Sequence, residues 1–234
     1  MSDEAQGESR PVKAVTVTEV QEAPLVLSDS GGLQINYTSP GGQSAVRWGR
    51  FVRRLLMVLV RPGAFWERTR SAEVSVSELM WPHVILLVGL RALAGFVGQL
   101  WRGAGFWASF ANFASSFVSW FALVWVFAVV VGSIATARGG KLAAQDPVRF
   151  AAFGLTPLFA VGMLAAIPLP YVAPIAELIA MPYTFHVLGL GAVPMLGLPV
   201  QKAPSFVGLT CGLLLILWGI MPTLVPLVVG VLTR

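Results

Sequence analysis

The longest uncharged stretches of this chain constrain its fold more than any other feature. Residues 103–137 contain no Asp, Glu, Lys or Arg, and neither do residues 203–233. A helix needs about 20 predominantly apolar residues to cross the hydrocarbon core of a bilayer. Runs of this length therefore predict transmembrane helices rather than the core helices of a water-soluble domain.

Composition supports a bilayer as the solvent of this chain. Apolar residues make up 56% of the sequence and charged residues only 12%, whereas an ordinary soluble domain carries about 25% charged residues. The formal net charge of +5 would suit a nucleic-acid partner. The cations, however, flank apolar runs, where orientation in the membrane and anionic headgroups account for them. We expect a lipid bilayer with anionic headgroups as a partner, and no nucleic acid.

The predicted fold class is all-α, a polytopic transmembrane helical bundle of five spans within residues 79–234. Pro168, Pro170 and Pro174 mark a turn between the third and fourth spans, while Pro157 and Pro182 fall inside spans and predict kinks. The expected spans cover about 82–101, 112–136, 150–167, 174–196 and 206–231.

The N-terminal part divides into two regions. Residues 1–44 are acidic and interrupted by glycines, which predicts a disordered cytoplasmic tail. Residues 45–78 form a basic juxtamembrane region, in which 45–61 has apolar residues at helical spacing and arginines on another side. This amphipathic helix is too short and too charged to span a bilayer, so we place it at the membrane surface. Two roles remain open for this helix. It docks to the membrane or to a partner, or it is merely a charged flank that orients the spans. The expected surface-binding residues are Arg47, Trp48, Arg50, Arg53, Arg54 and Arg61.

The distribution of cations predicts the orientation. With five spans, eleven Lys and Arg residues near the span ends fall on one side and only Arg102 and Arg234 on the other. Positive charge favours the cytoplasmic side, which places the N-terminus in the cytoplasm and the C-terminus outside. The eleven are Arg47, Arg50, Arg53, Arg54, Arg61, Arg68, Arg70, Arg138, Lys141, Arg149 and Lys202.

Arg91 lies near the middle of the first predicted span. A guanidinium there costs roughly 2.5–3.5 kcal/mol on insertion scales, so a partner is expected. Glu177 is the only acidic residue within the spans, and we predict an intramembrane ion pair between the two, direct or bridged by water. A structural pair that fixes helix register is favoured over an ion or substrate pathway. Gln99, Asn112 and His186 are the candidate companions for such a pathway.

No catalytic or metal site is indicated. The chain has two histidines and one cysteine, Cys211, at spacings that suit neither structural nor catalytic zinc. It has no Gly-x-Ser-x-Gly elbow and no phosphate-binding Gly-x-x-x-x-Gly-Lys loop. We therefore predict a protein that is not an enzyme and has no cofactor.

Three segments give the sequence a family resemblance. They are Pro62-Gly-Ala-Phe-Trp-Glu67 before the first span, Arg149-Phe-Ala-Ala-Phe-Gly-Leu-Thr-Pro157 opening the third, and Gly197-Leu-Pro-Val-Gln-Lys-Ala203 before the fifth. With five spans between roughly residues 50 and 230, the chain resembles the Yip domain (Ypt-interacting protein) family. The resemblance implies a non-enzymatic membrane protein with a cytosolic N-terminus, which in eukaryotes binds Rab-type small GTPases and supports vesicle traffic. The Asp-Leu-Tyr-Gly-Pro motif of the eukaryotic branch is missing, so the bacterial branch and a bacterial cytoplasmic (inner) membrane are expected.

Two functional hypotheses follow. The first is an integral membrane scaffold or adaptor that recruits an unidentified cytosolic or membrane protein through its N-terminal region. The alternative is a small transporter or channel that uses Arg91 and Glu177. An intramembrane enzyme acting on lipid is the weakest hypothesis, because no nucleophile and base pair is evident. The sequence is compatible with a homo-oligomer and with a hetero-oligomer.

Overall fold

The N-terminal unit contains a short pair of strands. The computed structural model describes residues 26–27, 33–34, 40–70 and 79–232, with side chains for 48–49, 51–70, 79–224 and 227. Contacts divide the chain into two compact units, Met1–Arg47 and Trp48–Arg234. In the first unit, β1 (Val26–Leu27) pairs antiparallel with β2 (Leu33–Gln34). The predicted disorder of the tail concerns residues that lie largely outside the described ones.

Two helices precede the spans. Helix α1 (Pro40–Val60) begins five residues before the predicted start at Ala45. Proline is well tolerated in the first turn of a helix, since its missing N–H would have no partner there. Helix α2 (Pro62–Arg70) also begins with a proline. The backbones of Arg47 and Arg50 belong to α1, but their side chains lie outside the described residues.

The first two spans are joined by a tight turn. The first span, Leu79–Trp101, consists of a π-helical turn (Leu79–Val84) followed by α3 (Ile85–Trp101). Trp81 has an extended backbone (φ −118°, ψ 120°), so the regular helix starts only after Pro82. The second span is α4 (Phe106–Ala137).

The third span is broken into three pieces. These are α5 (Asp146–Gly154), α6 (Thr156–Gly162) and a 3-10 turn (Met163–Ala166). Pro157 lies in the first turn of α6, where it has no N–H to donate to the preceding turn. The kink predicted at Pro157 is therefore a break between two helices.

The last two spans are continuous helices. The fourth is α7 (Val172–Leu196), which runs through Pro182 and Pro194. The fifth, Val200–Leu224, starts with a 3-10 turn (Val200–Lys202) and continues into α8 (Ala203–Leu232). Within the described residues the fold is thus all-α apart from the four strand residues, with five helices long and apolar enough to cross a membrane, which confirms the predicted fold class.

The third span occupies the centre of the bundle. Two thirds of its apolar window (67%) is buried inside the protein, against 17–39% for the other four spans. Helix α4 packs against α3, α5 and α8, and α7 packs against α2, α5, α6 and α8. Small residues permit the closest approaches. A Cβ atom on Gly98 would lie 2.0 Å from the carbonyl oxygen of Ala165, and one on Gly154 would lie 2.3 Å from Cδ2 of Leu188.

Candidate functional site

The structure brings Arg91 and Glu177 together. Arg91, on α3, donates a hydrogen bond from Nη2 to Oε1 of Glu177, on α7. The side chains are 11% and 3% exposed, so the pair is almost completely removed from solvent. The contact is direct.

Aromatic side chains from two more spans complete the surroundings of this pair. Trp218, on α8, donates from Nε1 to Oε2 of Glu177 over 2.7 Å. The indole of Trp120, on α4, lies under the guanidinium, with Cζ of Arg91 3.5 Å from its ring centroid. Both carboxylate oxygens therefore accept a hydrogen bond, and the cation is partly compensated by the face of an aromatic ring.

The third span contributes a glycine, whose lack of a side chain leaves room for the ion pair. A Cβ atom on Gly162 would lie 2.3 Å from Nε of Arg91 and 2.8 Å from Oε1 of Glu177. Nε of Arg91 finds no hydrogen-bond partner among the described residues. Glycine is required here because any larger residue would displace the ion pair. Arg91, Trp120, Gly162, Glu177 and Trp218 thus come from five different spans, and we call them the five-span cluster.

A polar cavity leads to the five-span cluster. It has a volume of about 210 Å³ and reaches Arg91 and Glu177. Gln99, Arg102 and Asn112 line it, so two of the three candidate companions of the ion pair are found there. His186 is exposed on α7 and does not line this cavity. The remaining lining residues are Gly95, Ser116, Ala165, Leu169, Pro170, Ala173 and Pro174.

A second cluster fixes α2 to the bundle, and the sequence analysis did not single it out. Trp66 is fully buried and donates from Nε1 to the carbonyl oxygen of Val187 over 2.9 Å. Its indole fits against Gly191, where a Cβ atom would lie 2.6 Å from the ring. Phe65 packs edge-on against Phe153 with ring centroids 4.8 Å apart. Two of the three segments that carry the family resemblance are therefore in direct contact.

Arg149 plays a part that its sequence context did not reveal. The sequence indicates an orienting cation at the start of the third span, but the side chain is only 4% exposed. It donates from Nη2 to the carbonyl oxygen of Thr69 over 2.7 Å, and its Nη1 lies 3.7 Å from Oδ1 of Asp146. Because the last carbonyls of a helix have no intrahelical donors, this bond caps the C-terminus of α2. A charged residue at the start of a span gave no signal of that contact.

Helix α1 has two apolar faces rather than one. Phe51 and Val58 are buried against the bundle, and Tyr183 of α7 donates from its hydroxyl to the carbonyl oxygen of Leu59 over 2.6 Å. A second stripe at four-residue spacing points outward and is 46–70% exposed; it consists of Trp48, Val52, Leu56 and Val60. Of the predicted surface-binding arginines, Arg53 and Arg61 are exposed and Arg54 is half-buried. The helix therefore combines a fixed inner face with an exposed apolar outer face.

Metal-binding side chains do not gather in the part of the chain that the structure describes. Within it there is no group of three or more His, Cys, Asp and Glu residues that could hold a metal ion. Cys211 is a half-buried free cysteine on α8. His83 instead forms a buried contact between its Nε2 and the hydroxyl of Thr156, 3.0 Å apart.

These features define an integral membrane protein, a bundle of five apolar spans that meet around a buried ion pair. Residues 56–221 match the Yip1 domain, and the chain belongs to the Yip1 domain family. This confirms the resemblance found in the sequence. No curated protein and no solved structure matches the chain.

Proposed function

We propose that this protein is a non-enzymatic membrane scaffold or adaptor that recruits a protein partner through its N-terminal region. The observation that carries the proposal is the fixed position of α1 and α2. Trp66 holds α2 in the bundle core, and the inner face of α1 packs on the same bundle. A segment held rigidly in this way offers a partner a preorganised surface, which lowers the entropy cost of capture.

The outer face of α1 supports a role at the membrane surface. Trp48, Val52, Leu56 and Val60 form an exposed apolar stripe, and Arg53 and Arg61 are exposed on the same helix. An amphipathic helix of this kind binds anionic bilayers by inserting its apolar face between the headgroups while its arginines contact phosphates. Residues 48–60 of α1 would then sit in the interface.

We place the N-terminus in the cytoplasm, and the protein in the cytoplasmic (inner) membrane of a bacterium. The cation count of eleven against two favours this orientation. The bacterial assignment rests on the missing Asp-Leu-Tyr-Gly-Pro motif of the eukaryotic branch.

Deleting residues 1–47 tests the adaptor proposal. The deletion ends before Phe51 and Val58, so it leaves the inner face of α1 in place. We expect the truncated protein to insert and purify like the full-length chain but to lose partners that cross-link to the full-length protein in native membranes. A control that replaces residues 1–47 by a Gly/Ser chain of equal length separates loss of sequence from loss of length. Recovery of the same cross-linked proteins from truncated and full-length chains would refute the proposal.

The second candidate function is that of a small transporter or channel, and the polar cavity favours it. Gln99 and Asn112 line the same cavity as the ion pair, as a substrate pathway would require. Asn112→Ala and Gln99→Ala test it without breaking the ion pair. If reconstituted wild-type protein shows a flux of ions, protons or lipids that these variants lose, transport is supported. A wild type with no such flux removes this candidate.

A further inference from the structure

A second polar cavity lies at the other end of the bundle. It has a volume of about 360 Å³, which is within the range of roughly 300–1,000 Å³ usual for small-ligand sites. Its walls come from the end of α2, the loop between the second and third spans, the start of α5 and the end of α7. The lining residues are Arg70, Lys141, Asp146, Arg149, Pro194, Met195 and Gly197.

The charged lining of this cavity is unbalanced. Three cations and one carboxylate leave it with a net charge of +2. The carboxylate of Asp146 is already engaged, since Oδ2 accepts the backbone N–H of Ala143 over 2.7 Å and Oδ1 faces Arg149. Arg70 and Lys141 form no ion pair with any carboxylate that the structure describes. Their charges are therefore available to a ligand.

The backbone holds the cavity open in a fixed shape. Gly197 has a positive φ of 57°, and a Cβ atom there would lie 2.9 Å from the carbonyl oxygen of Lys141. The loop that carries Lys141 can approach α7 only because position 197 is glycine. Arg149, bonded to Thr69 at the end of α2, fixes the opposite wall next to Arg70. The backbone positions that carry Arg70 and Lys141 are thus fixed before any ligand arrives.

We propose that this cavity binds a phosphate group, with Arg70 and Lys141 as the residues that contact it and Arg149 as the buried charge behind them. A phosphomonoester carries close to two negative charges and three acceptor oxygens, which match a net charge of +2 and the donors of a guanidinium and an ammonium. A lipid headgroup and a soluble phosphorylated compound share this chemistry. No described arginine of α1 and no residue of the five-span cluster lines this cavity.

Calorimetric titration of the full-length protein in zwitterionic nanodiscs tests the site. The probes are inorganic phosphate and short-chain dihexanoyl phosphatidic acid, with dihexanoyl phosphatidylcholine as the control for the acyl chains. We expect Arg70→Ala and Lys141→Ala each to weaken binding roughly tenfold, equivalent to about 1.4 kcal/mol. Arg102→Ala is the matched control, because it removes an exposed cation in the other cavity.

The outcomes separate the sources of phosphate. Binding of both probes, sensitive to Arg70 and Lys141 but not to Arg102, supports a general phosphate site. Binding of phosphatidic acid alone supports a lipid headgroup, and binding of inorganic phosphate alone supports a soluble ligand. Binding of neither probe, or equal binding by wild type and all three variants, overturns the proposal.

Asp146→Asn gives a test of opposite sign that does not depend on the alanine variants folding. Its amide oxygen can still accept the N–H of Ala143, while the cavity gains one unit of positive charge. We expect severalfold tighter phosphate binding than in wild type. Unchanged or weaker binding by a folded Asp146→Asn protein contradicts the proposal.

Discussion

Replacing Glu177 by glutamine should destabilise the bundle severely although the change is nearly isosteric. Each carboxylate oxygen accepts one donor, Oε1 from Arg91 and Oε2 from Trp218. Glutamine has a single acceptor oxygen, so its NH₂ group would face one of these donors and leave it unpaired. The variant would also leave the guanidinium of Arg91 buried without its counter-charge.

The magnitude follows from the burial of the pair. Two unit charges about 4 Å apart attract by about 4 kcal/mol at an effective dielectric constant of about 20. Removing one partner of a buried pair typically costs about 3–5 kcal/mol, and the 3% exposure of Glu177 places it in this class. We therefore expect Glu177→Gln to lower the free energy of unfolding by about 3–5 kcal/mol.

A double-mutant cycle isolates the pair. In Arg91→Leu/Glu177→Gln the amide oxygen can accept from Trp218 and no buried charge remains, so the double variant should be more stable than Glu177→Gln alone. Unfolding in mixed micelles is induced by titration with dodecyl sulfate and followed by tryptophan fluorescence. It gives the free energies of unfolding of wild type, Arg91→Leu, Glu177→Gln and the double variant. A Glu177→Gln protein within about 0.5 kcal/mol of wild type, or a double variant that loses the sum of the two single losses, would refute the reasoning.

Three further predictions use the same bundle. Gly162→Ala should lower the free energy of unfolding by about 1–3 kcal/mol, because its Cβ would displace Arg91. Gly208→Ala is the control: a Cβ there meets nothing within 4 Å, so the free energy of unfolding in the same assay should hardly change. Trp66→Phe removes the buried indole donor and should cost about 0.5–1.5 kcal/mol, also measured by unfolding. A nitroxide label at Val52, on the outer stripe of α1, should be more accessible to oxygen than to a water-soluble nickel reagent in bilayers, and a label at Arg53 should show the reverse; equal accessibility at both would contradict insertion of the stripe.

The sequence predicted the five-span architecture because apolar length is a local property. Runs such as 103–137 exceed what a soluble helix needs, and no packing detail can change that conclusion. The partnership of Arg91 and Glu177 was also predictable, since the cost of a lone charge in a bilayer leaves few choices when only one acidic residue lies in the spans.

Other parts of the site depended on information that a single sequence does not contain. Nothing in the spacing of Trp120 and Trp218 among eight tryptophans indicated that these two contact the ion pair. The burial of Arg149 was hidden because a cation at the start of a span is also what the orientation rule predicts. The sequence did not distinguish the buried from the exposed apolar face of α1, because two adjacent apolar stripes have the same helical period.

The most direct test is to determine on which side of the membrane each loop lies. Single cysteines at Leu169, between the third and fourth spans, and at Gln201, in the 3-10 turn that opens the fifth span, would be introduced with Cys211 replaced by serine. A membrane-impermeant maleimide applied to intact cells should label the cysteine at 169 and not the one at 201, and inverted vesicles should give the opposite result. Labelling of both positions from the same side would contradict the five-span arrangement and the orientation built on it.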